Sequence, residues 1–446
     1  MSTARRTAPH PAPRTAPHPV GHALGRPARH PVGRVAMVSE HASPLAELGG
    51  PDAGGQNVYV AQLAAGLARR GHEVVVYTRR DDPALPERVD TDDGVRVVHV
   101  PAGPPVPIPK DELLPHMPEF GDWLAGKWRA DPPDVVHAHF WMSGLAAVRG
   151  ARDLGLPVVQ TYHALGTVKK RYQGAADTSP PQRIGIETAV GHACAAVIAT
   201  CSDEVAELTA MGLPRERVHV VPCGVDPEHF RPAEGARRTD GARRRLLTVG
   251  RLVPRKGFDR AIRALTEVPD AELLVAGGPN LALLGAEPEA ERLWAVAVEC
   301  GVSDRVTLLG GVSPLRMPEL MSDADLVLSV PVYEPFGIVP IEAMACGTPV
   351  LATAVGGQLD TVEHDVTGLL VPSDAAADTL GAAIRGLLGD PQRLARYGAA
   401  GRRRVLAHYT WDRVADGVGR VYGAVSGVPS LAGTPSLTGS LRGAVR

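Results

Sequence analysis

The chain has 446 residues, of which 47 are basic and 49 are acidic, so its formal net charge is −2. Its length exceeds a single ordinary hydrophobic core and predicts two or three domains. The balanced charge excludes a general electrostatic argument for nucleic acid binding. No stretch reaches the ~18 continuous apolar residues of a membrane span, although peripheral contact with lipid through basic or apolar surface stays open.

The five cysteines lie far apart and include no Cys-x-x-Cys pair. Their spacing argues against a disulfide framework and a zinc site, and it favours a reducing cytoplasm. Residues 1–33 carry many Pro, His and Arg residues and no acidic residue, and they lack the apolar core of a secretory signal. We therefore expect a disordered tail there, and a second one over residues 426–446, which are rich in Ser, Gly and Pro.

Short Val-rich runs alternate with amphipathic stretches through the first half of the chain, which is typical of a parallel sheet covered by helices. The strands are predicted over residues 34–39, 73–78, 95–100, 134–138, 157–161, 196–200 and 218–221. A helix is predicted over residues 56–70, with Gly71 as its C-terminal stop. Residues 34–222 are therefore expected to form a doubly wound α/β domain.

A polar and basic linker over residues 223–245 is predicted to join this domain to a second alternation of strands and helices. The second set of strands is predicted over residues 246–249, 272–276, 305–309, 325–330, 349–353 and 368–371. The expected fold class is α/β, with two Rossmann-like domains that face each other across a cleft. In such sheets ligands gather outside the carboxyl ends of the strands, which is where the motifs below fall.

The most informative segment runs from Glu334 to Glu342 and reads EPFGIVPIE. It follows a predicted buried strand and enters a predicted helix that begins at Ile338, whose N-terminal amides can hold a diphosphate. Glu334 would then stand at the mouth of a phosphate site, with Glu342 further along the helix. Each glutamate alone has an ordinary alternative, because glutamates also favour helix starts and solvated helix faces.

Two cations follow the first strand of the second domain, five positions apart, as Arg251 and Lys256. An arginine supplies a fork of donors and a lysine supplies a mobile point charge, so together they suit a departing diphosphate. Unrelated surface cations are the alternative. His163 follows the predicted strand 157–161, also at a carboxyl edge. This position alone does not make its side chain a general base.

A glycine-rich loop over residues 49–57 follows the first strand, where bare backbone can approach a substrate closely. It lacks the spacing of the dinucleotide fingerprint, which argues against NAD binding. His137 and His139 point the same way from one strand, but no third metal ligand is evident. We therefore expect no metal ion and no cofactor.

Taken together, these motifs resemble the signature of the retaining glycosyltransferases of family 4: EPFG with the second glutamate, the following Cys-Gly-Thr-Pro, and Gly-Arg, four residues, then Lys-Gly. The resemblance covers residues 34–425 and implies the GT-B fold, with residues 246–408 as the donor domain and a closing helix over 409–425 that crosses back to the first domain. It implies no bound metal, so Asp323-Ala324-Asp325, which spells a metal motif of other glycosyltransferases, is interpreted as a helix end and strand start.

The resemblance also implies roles for individual residues. Glu334, Arg251, Lys256 and His163 would form the catalytic centre. The donor would be bound by Gly55, Arg251, Lys256, Glu334, Gly337, Ile338, Glu342 and Thr348, and the acceptor by His41, Asn57, Lys110 and Arg183.

Within the family, residues 41–45 and 52–60 are similar to the D-inositol 3-phosphate glycosyltransferases, and other parts resemble sucrose-phosphate synthases. The first group is expected to grip its acceptor phosphate partly through a tyrosine and a threonine, where this chain has Phe140 and Ala164. Neither side chain can donate a hydrogen bond, so two phosphate contacts would be missing, although Lys110 and Arg183 could supply others. The acceptor and the choice between UDP- and GDP-sugars stay open.

The sequence thus predicts a cytoplasmic retaining hexosyltransferase that uses a nucleotide sugar and a small-molecule or glycan acceptor. Two alternatives stay open: a nucleotide-sugar epimerase on the same fold, and a non-catalytic protein that binds nucleotide sugars.

Overall fold

A computed structural model describes residues 33–46, 54–233 and 243–426. Most of the two predicted tails, residues 49–53 of the glycine-rich loop and the middle of the predicted linker lie outside the described residues. Among the residues that are described, no helix has the length and apolar character needed to cross a bilayer.

The first sheet has eight strands in the order β3-β4-β2-β1-β5-β6-β7-β8. The strands are β1 (Arg34–Val38), β2 (Glu73–Arg79), β3 (Arg88–Asp90), β4 (Val95–Val100), β5 (Val135–His139), β6 (Val158–Thr161), β7 (Ala196–Ala199) and β8 (Val218–Val220). All neighbours pair in parallel except β3, which lies antiparallel to β4 at the edge. The sequence pattern does not predict β3, which adds one antiparallel strand at the edge of an otherwise parallel sheet.

Helices connect the strands of the first sheet. They are α1 (Gly55–Arg69), α2 (Met117–Ala130), α3 (Trp141–Ala151), α4 (Gly166–Gln173), α5 (Arg183–Ala193) and α6 (Ser202–Ala210). Strand β5 is buried along its whole length, as a central strand covered on both faces must be. The apolar runs of the sequence therefore become the middle layer of a three-layer domain.

The second sheet has six strands, all parallel, in the order β11-β10-β9-β12-β13-β14. The strands are β9 (Arg244–Val249), β10 (Ala271–Ala276), β11 (Val306–Gly310), β12 (Leu326–Ser329), β13 (Val350–Thr353) and β14 (Gly368–Val371). The helices are α7 (Phe258–Ala264), α8 (Pro288–Glu299), α9 (Met317–Ser322), α10 (Ile338–Ala345), α11 (Gln358–Thr361), α12 (Ala377–Leu388) and α13 (Pro391–His408). The chain order reverses between β9 and β12, and such a switch point places two loops side by side at the carboxyl edge.

A final helix, α14 (Trp411–Val425), packs against the first domain. The ring of Trp411 meets the edge of Tyr59 on α1, with 5.6 Å between ring centroids. Arg70 donates hydrogen bonds to the carboxylates of Asp412 and Asp416. The polypeptide therefore returns from the second domain to the first, and the fold consists of two Rossmann-like domains.

Candidate active site

The switch point of the second sheet brings Lys256 and Glu334 together. Lys256 lies in the loop after β9 and Glu334 in the loop after β12, and these strands are hydrogen-bonded neighbours. The ammonium group of Lys256 donates a hydrogen bond to Glu334 Oε2, and the two side chains are only 14% and 11% exposed. The loops are joined further because the backbone N–H of Val332 donates to the carbonyl of Arg255.

The pKa of each partner reflects burial opposed by nearby charge. Burial raises the pKa of Glu334, but the positive charges of Lys256 and Arg255 outweigh it and hold that pKa below the ordinary value. Burial lowers the pKa of Lys256; Glu334 opposes this change, whereas the guanidinium groups of Arg255 and Arg251 add to it. Glu334 therefore stays ionised near neutral pH.

Glu342 lies one turn into α10, and the ammonium of Lys256 also acts on it. Burial raises the pKa of Glu342 to about 8, with Lys256 lowering it only in part. The two carboxyl groups that the sequence pairs therefore have pKa values pushed in opposite directions. Such a separation is typical of a functional site rather than of a solvated helix face.

Two glycines let neighbouring loops approach the loop that carries Glu334. Gly257 lies in the loop after β9, and Gly356 lies in the loop after β13. Gly257 has φ of +69°, and a Cβ there would lie 2.1 Å from the carbonyl oxygen of Val330. Gly356 has φ of +47°, and its Cβ would lie 2.1 Å from the carbonyl oxygen of Glu334. Any other residue at either position would displace the backbone that carries the ion pair.

The N-terminus of α10 faces the N-terminus of α1 from the first domain. A Cβ on Gly55, the first residue of α1, would lie 3.3 Å from the side chain of Ile338, the first residue of α10. Gly337 caps α10 with φ of +71°. Because helix N-termini carry unpaired N–H groups and partial positive charge, this meeting point suits an anion.

The loop that carries Glu334 also contacts the first domain through aromatic rings. Tyr333 stacks on Tyr172 of α4, with 5.2 Å between centroids, and Phe336 meets His163 at 5.6 Å. The sequence pattern does not indicate a role for Tyr172. Tyr333 directly precedes Glu334, and this position is the signal by which the sequence could have indicated Tyr333. The loop that carries Glu334 therefore packs against the first domain.

His163 follows β6 in a backbone conformation that L-residues rarely adopt, with φ of +63°. Its Nε2 lies 3.0 Å from Nδ1 of His139 at the end of β5, and its ring meets the edge of Tyr59 at 5.0 Å. Phe140, which follows His139, is likewise at positive φ. Two unfavourable backbone conformations at neighbouring strand ends are typical of a functional site.

Three of the four predicted acceptor residues surround the ring of Phe140. The ring centroid lies 4.9 Å from that of His41, 5.8 Å from Lys110 Nζ and 5.2 Å from Arg183 Cζ. His41 Nδ1 also lies 2.7 Å from a carboxylate oxygen of Glu40. The structure thus places these residues at one carboxyl edge of the first sheet.

The guanidinium group of Arg183 donates hydrogen bonds to three partners within the protein. It bonds Glu187 through Nε at 2.8 Å, Ser179 through Nη1 at 3.1 Å and the carbonyl of Ala164 through Nη2 at 2.6 Å.

Asn57, the fourth predicted acceptor residue, accepts from Gly54 N–H and donates to the carbonyl of Ser43. Its side chain therefore links Gly54 to Ser43.

The structure does not bring Thr348 to this cluster. Thr348 lies between α10 and the amino end of β13, at the opposite edge of the sheet from Gly337. Its hydroxyl is buried and donates to the carbonyl of Met321 at 2.7 Å. Arg251, by contrast, lies exposed just after β9, on the same edge as Lys256.

Asp323 and Asp325 lie at the amino edge of the second sheet, away from the cluster. Asp325 accepts hydrogen bonds from the backbone N–H of Arg245 and from the side chain of Arg244. Across the described ranges, no group of three His, Cys, Asp or Glu side chains is arranged to hold a metal ion.

Comparison with known proteins identifies relatives of this chain. The sequence model of Glycosyltransferase Family 4 matches residues 53–229, and that of Glycosyl transferases group 1 matches residues 233–404. The D-inositol 3-phosphate glycosyltransferase of Xylanimonas cellulosilytica is 40% identical over 412 residues, which cover 87% of this chain and 96% of the relative. That of Catenulispora acidiphila is 39% identical over 411 residues, with 87% and 95% covered.

Among solved structures, sucrose-phosphate synthase from Thermosynechococcus elongatus superimposes with a TM-score of 0.80 at 32% identity, covering 88% of this chain and 98% of that one. Together these findings show that the chain belongs to glycosyltransferase family 4 and is a glycosyltransferase with the GT-B fold.

Proposed function

We propose that this enzyme transfers a hexosyl group, with retention of anomeric configuration, from a UDP- or GDP-sugar to an acceptor bound by the first domain. The single observation that carries the proposal is the cluster of the buried Glu334 with the half-buried Lys256 and Glu342 beside the N-terminus of α10. It combines a cation and helix amides, which suit a diphosphate, with two carboxyl groups, which suit the hydroxyl groups of sugars.

The diphosphate is placed by the positive groups of the site. Lys256, Arg251 and the N-terminal amides of α10 lie at the same carboxyl edge, and the N-terminus of α1 approaches at Gly55. As the bond to the sugar breaks, negative charge grows on the leaving diphosphate, and a cation held in a water-poor site stabilises that charge. Lys256 and Arg251 therefore act on the leaving group.

The two glutamates bind the rings on either side of the diphosphate. Glu334 stays ionised beside Lys256 and accepts hydrogen bonds from hydroxyl groups of the transferred sugar. Glu342 accepts hydrogen bonds from the ribose hydroxyls, since a carboxyl group keeps acceptor capacity whether or not it carries its proton. His163, packed against Phe336, contacts the sugar from the first-domain side.

Retention is assigned to attack from the face that the leaving group occupies, with the departing phosphate oxygen taking the acceptor's proton. The site residues hold donor and acceptor in place, and none of them serves as a covalent nucleophile in this scheme. Closure of the domains excludes water, which would otherwise hydrolyse the donor.

The acceptor is assigned to the edge around Phe140. Both relatives described above are named for D-inositol 3-phosphate, but Phe140 and Ala164 offer no side-chain donors to a phosphate, and Arg183 is paired with Glu187. We therefore assign the site an acceptor hydroxyl whose recognition does not depend on a phosphate at that point.

The proposal is tested by incubating the protein with UDP-, GDP- and ADP-sugars, with and without cell extract, and following free nucleotide and sugar products. Acceptor-dependent release of nucleotide supports transfer. An isomerised donor formed without acceptor would instead show an epimerase, and binding without turnover would show a non-catalytic binding protein.

Lys256→Ala is expected to lower turnover by on the order of 10²-fold or more, because it removes a preorganised charge from the leaving group. Steady-state release of nucleotide measures this effect. Lys127→Ala, which changes an exposed lysine on α2, is the matched control and should leave turnover unchanged. Near-normal turnover in Lys256→Ala would remove Lys256 from the site.

Glu342→Gln is expected to stabilise the empty protein at pH 8.5, by at most about 5 kcal/mol, and much less at pH 5. The folded state raises the pKa of Glu342 from 4.5 to about 8, so wild-type stability falls as pH rises across that window and then levels off. The glutamine variant lacks this penalty, although it should bind nucleotide more weakly. Urea unfolding at both pH values measures the difference. Equal stabilisation at pH 5 and 8.5 would contradict the assignment.

Phe140→Tyr combined with Ala164→Thr is expected to raise the rate with D-inositol 3-phosphate as acceptor by about tenfold or more, because two hydroxyl donors are added. Product formation at fixed donor concentration provides the measurement, and myo-inositol without phosphate serves as the control acceptor. If the wild-type protein already reacts with D-inositol 3-phosphate as fast as the double variant, the proposed acceptor site around Phe140 is contradicted.

A further inference from the structure

Three histidines lie together where β5 and β6 end. The ring centroids of His137 and His139 are 4.1 Å apart, and those of His139 and His163 are 5.3 Å apart. His139 Nδ1 and His163 Nε2 are within hydrogen-bond distance at 3.0 Å. All three side chains are buried. We name this set the histidine cluster.

The members of the histidine cluster are uncharged near neutral pH. Burial lowers the pKa of His137 to about 3 and holds those of His139 and His163 well below the ordinary value. A neutral imidazole carries one N–H donor and one lone-pair acceptor. In the bond between His139 and His163, one ring must therefore donate and the other accept, so the tautomer of one sets the tautomer of the other.

The far nitrogens of this pair, His163 Nδ1 and His139 Nε2, have no hydrogen-bond partner within the described parts of the chain. If His139 donates from Nδ1, His163 carries its proton on Nδ1 and offers a donor to a ligand. If His163 donates instead, its Nδ1 offers only an acceptor. The hydroxyl of Tyr59, beside His163, is also without a partner there.

His137 connects the histidine cluster to the surrounding structure through hydrogen bonds. Its Nδ1 lies 2.7 Å from the hydroxyl of Tyr422 on α14, and its Nε2 lies 2.8 Å from the hydroxyl of Thr161. Both ring nitrogens of His137 are thus hydrogen-bonded, which fixes the orientation of its ring. The ring of His139 packs against it. His139 is held by this contact, by the ring of Tyr59 at 5.8 Å between centroids, and by its bond to His163.

We propose that His139 is a positioning residue: it fixes the ring orientation and tautomer of His163, and thereby decides whether His163 donates to, or accepts from, a hydroxyl of the donor sugar. This inference rests on the proposed function. It assigns the His-x-His pattern of β5 a task other than metal binding.

The test compares His139→Leu, which removes the bond to His163, with His139→Asn, whose amide lies near the place of Nδ1 and can bond in either sense. In protein labelled with ¹⁵N-histidine, the two nitrogen shifts of His163 report its tautomer, with assignment by a His163→Gln variant. We expect one tautomer in the wild-type protein and a mixture in both variants.

In kinetics, His139→Leu should lower kcat/KM for the nucleotide sugar roughly tenfold, and His139→Asn should recover part of that loss. The affinity for UDP or GDP alone should stay unchanged, because the free nucleotide carries no sugar. Val136→Ala, which removes buried apolar volume from the same strand, is the control for general destabilisation and should not change the His163 shifts.

An unchanged His163 tautomer in both variants would overturn the proposal. So would a loss of nucleotide affinity that parallels the loss of kcat/KM, because that result describes damage to the whole site. If the wild-type protein transfers no sugar at all, the proposed function fails, while the nitrogen shifts still decide whether His139 controls His163.

Discussion

A buried ammonium group between two carboxyl groups organises the candidate site. Lys256 pairs with Glu334 and also lowers, in part, the raised pKa of Glu342. Taking such charges out of water costs several kcal/mol per ion, and a buried pair seldom returns more than it costs. The arrangement is therefore poorly explained by stability, and it is well suited to a ligand that brings its own negative charge and hydroxyl groups.

The backbone of the second domain holds this cluster, and the loop that carries Glu334 also contacts the first domain. Gly257 and Gly356 let the loops after β9, β12 and β13 meet, and the loop of Glu334 is packed against Tyr172 and His163 of the first domain. A relative movement of the domains would therefore move Glu334 directly. In the proposed function, this loop links the binding of the sugar to closure of the domains.

The sequence predicts most strands to within about two residues, because buried parallel strands leave continuous apolar runs. It does not predict β3, which has three residues and no buried one, so no apolar pattern marks it. It predicts that Lys256 and Glu334 follow strands, and the structure brings the two side chains together. The donor-binding role that the resemblance implies for Thr348 does not fit its place at the amino end of β13, where its hydroxyl bonds to Met321. The burial of Glu342 and the bond between His139 and His163 arise from packing between distant segments, which no local pattern contains.

The most direct test of the central claim is a crystal structure of the protein with UDP or GDP bound. The account predicts the diphosphate at the N-terminus of α10, within about 3.2 Å of Lys256 Nζ, with the ribose hydroxyls on Glu342. A nucleotide bound elsewhere, with Lys256 still paired to Glu334 and Glu342 turned away from it, would contradict the account.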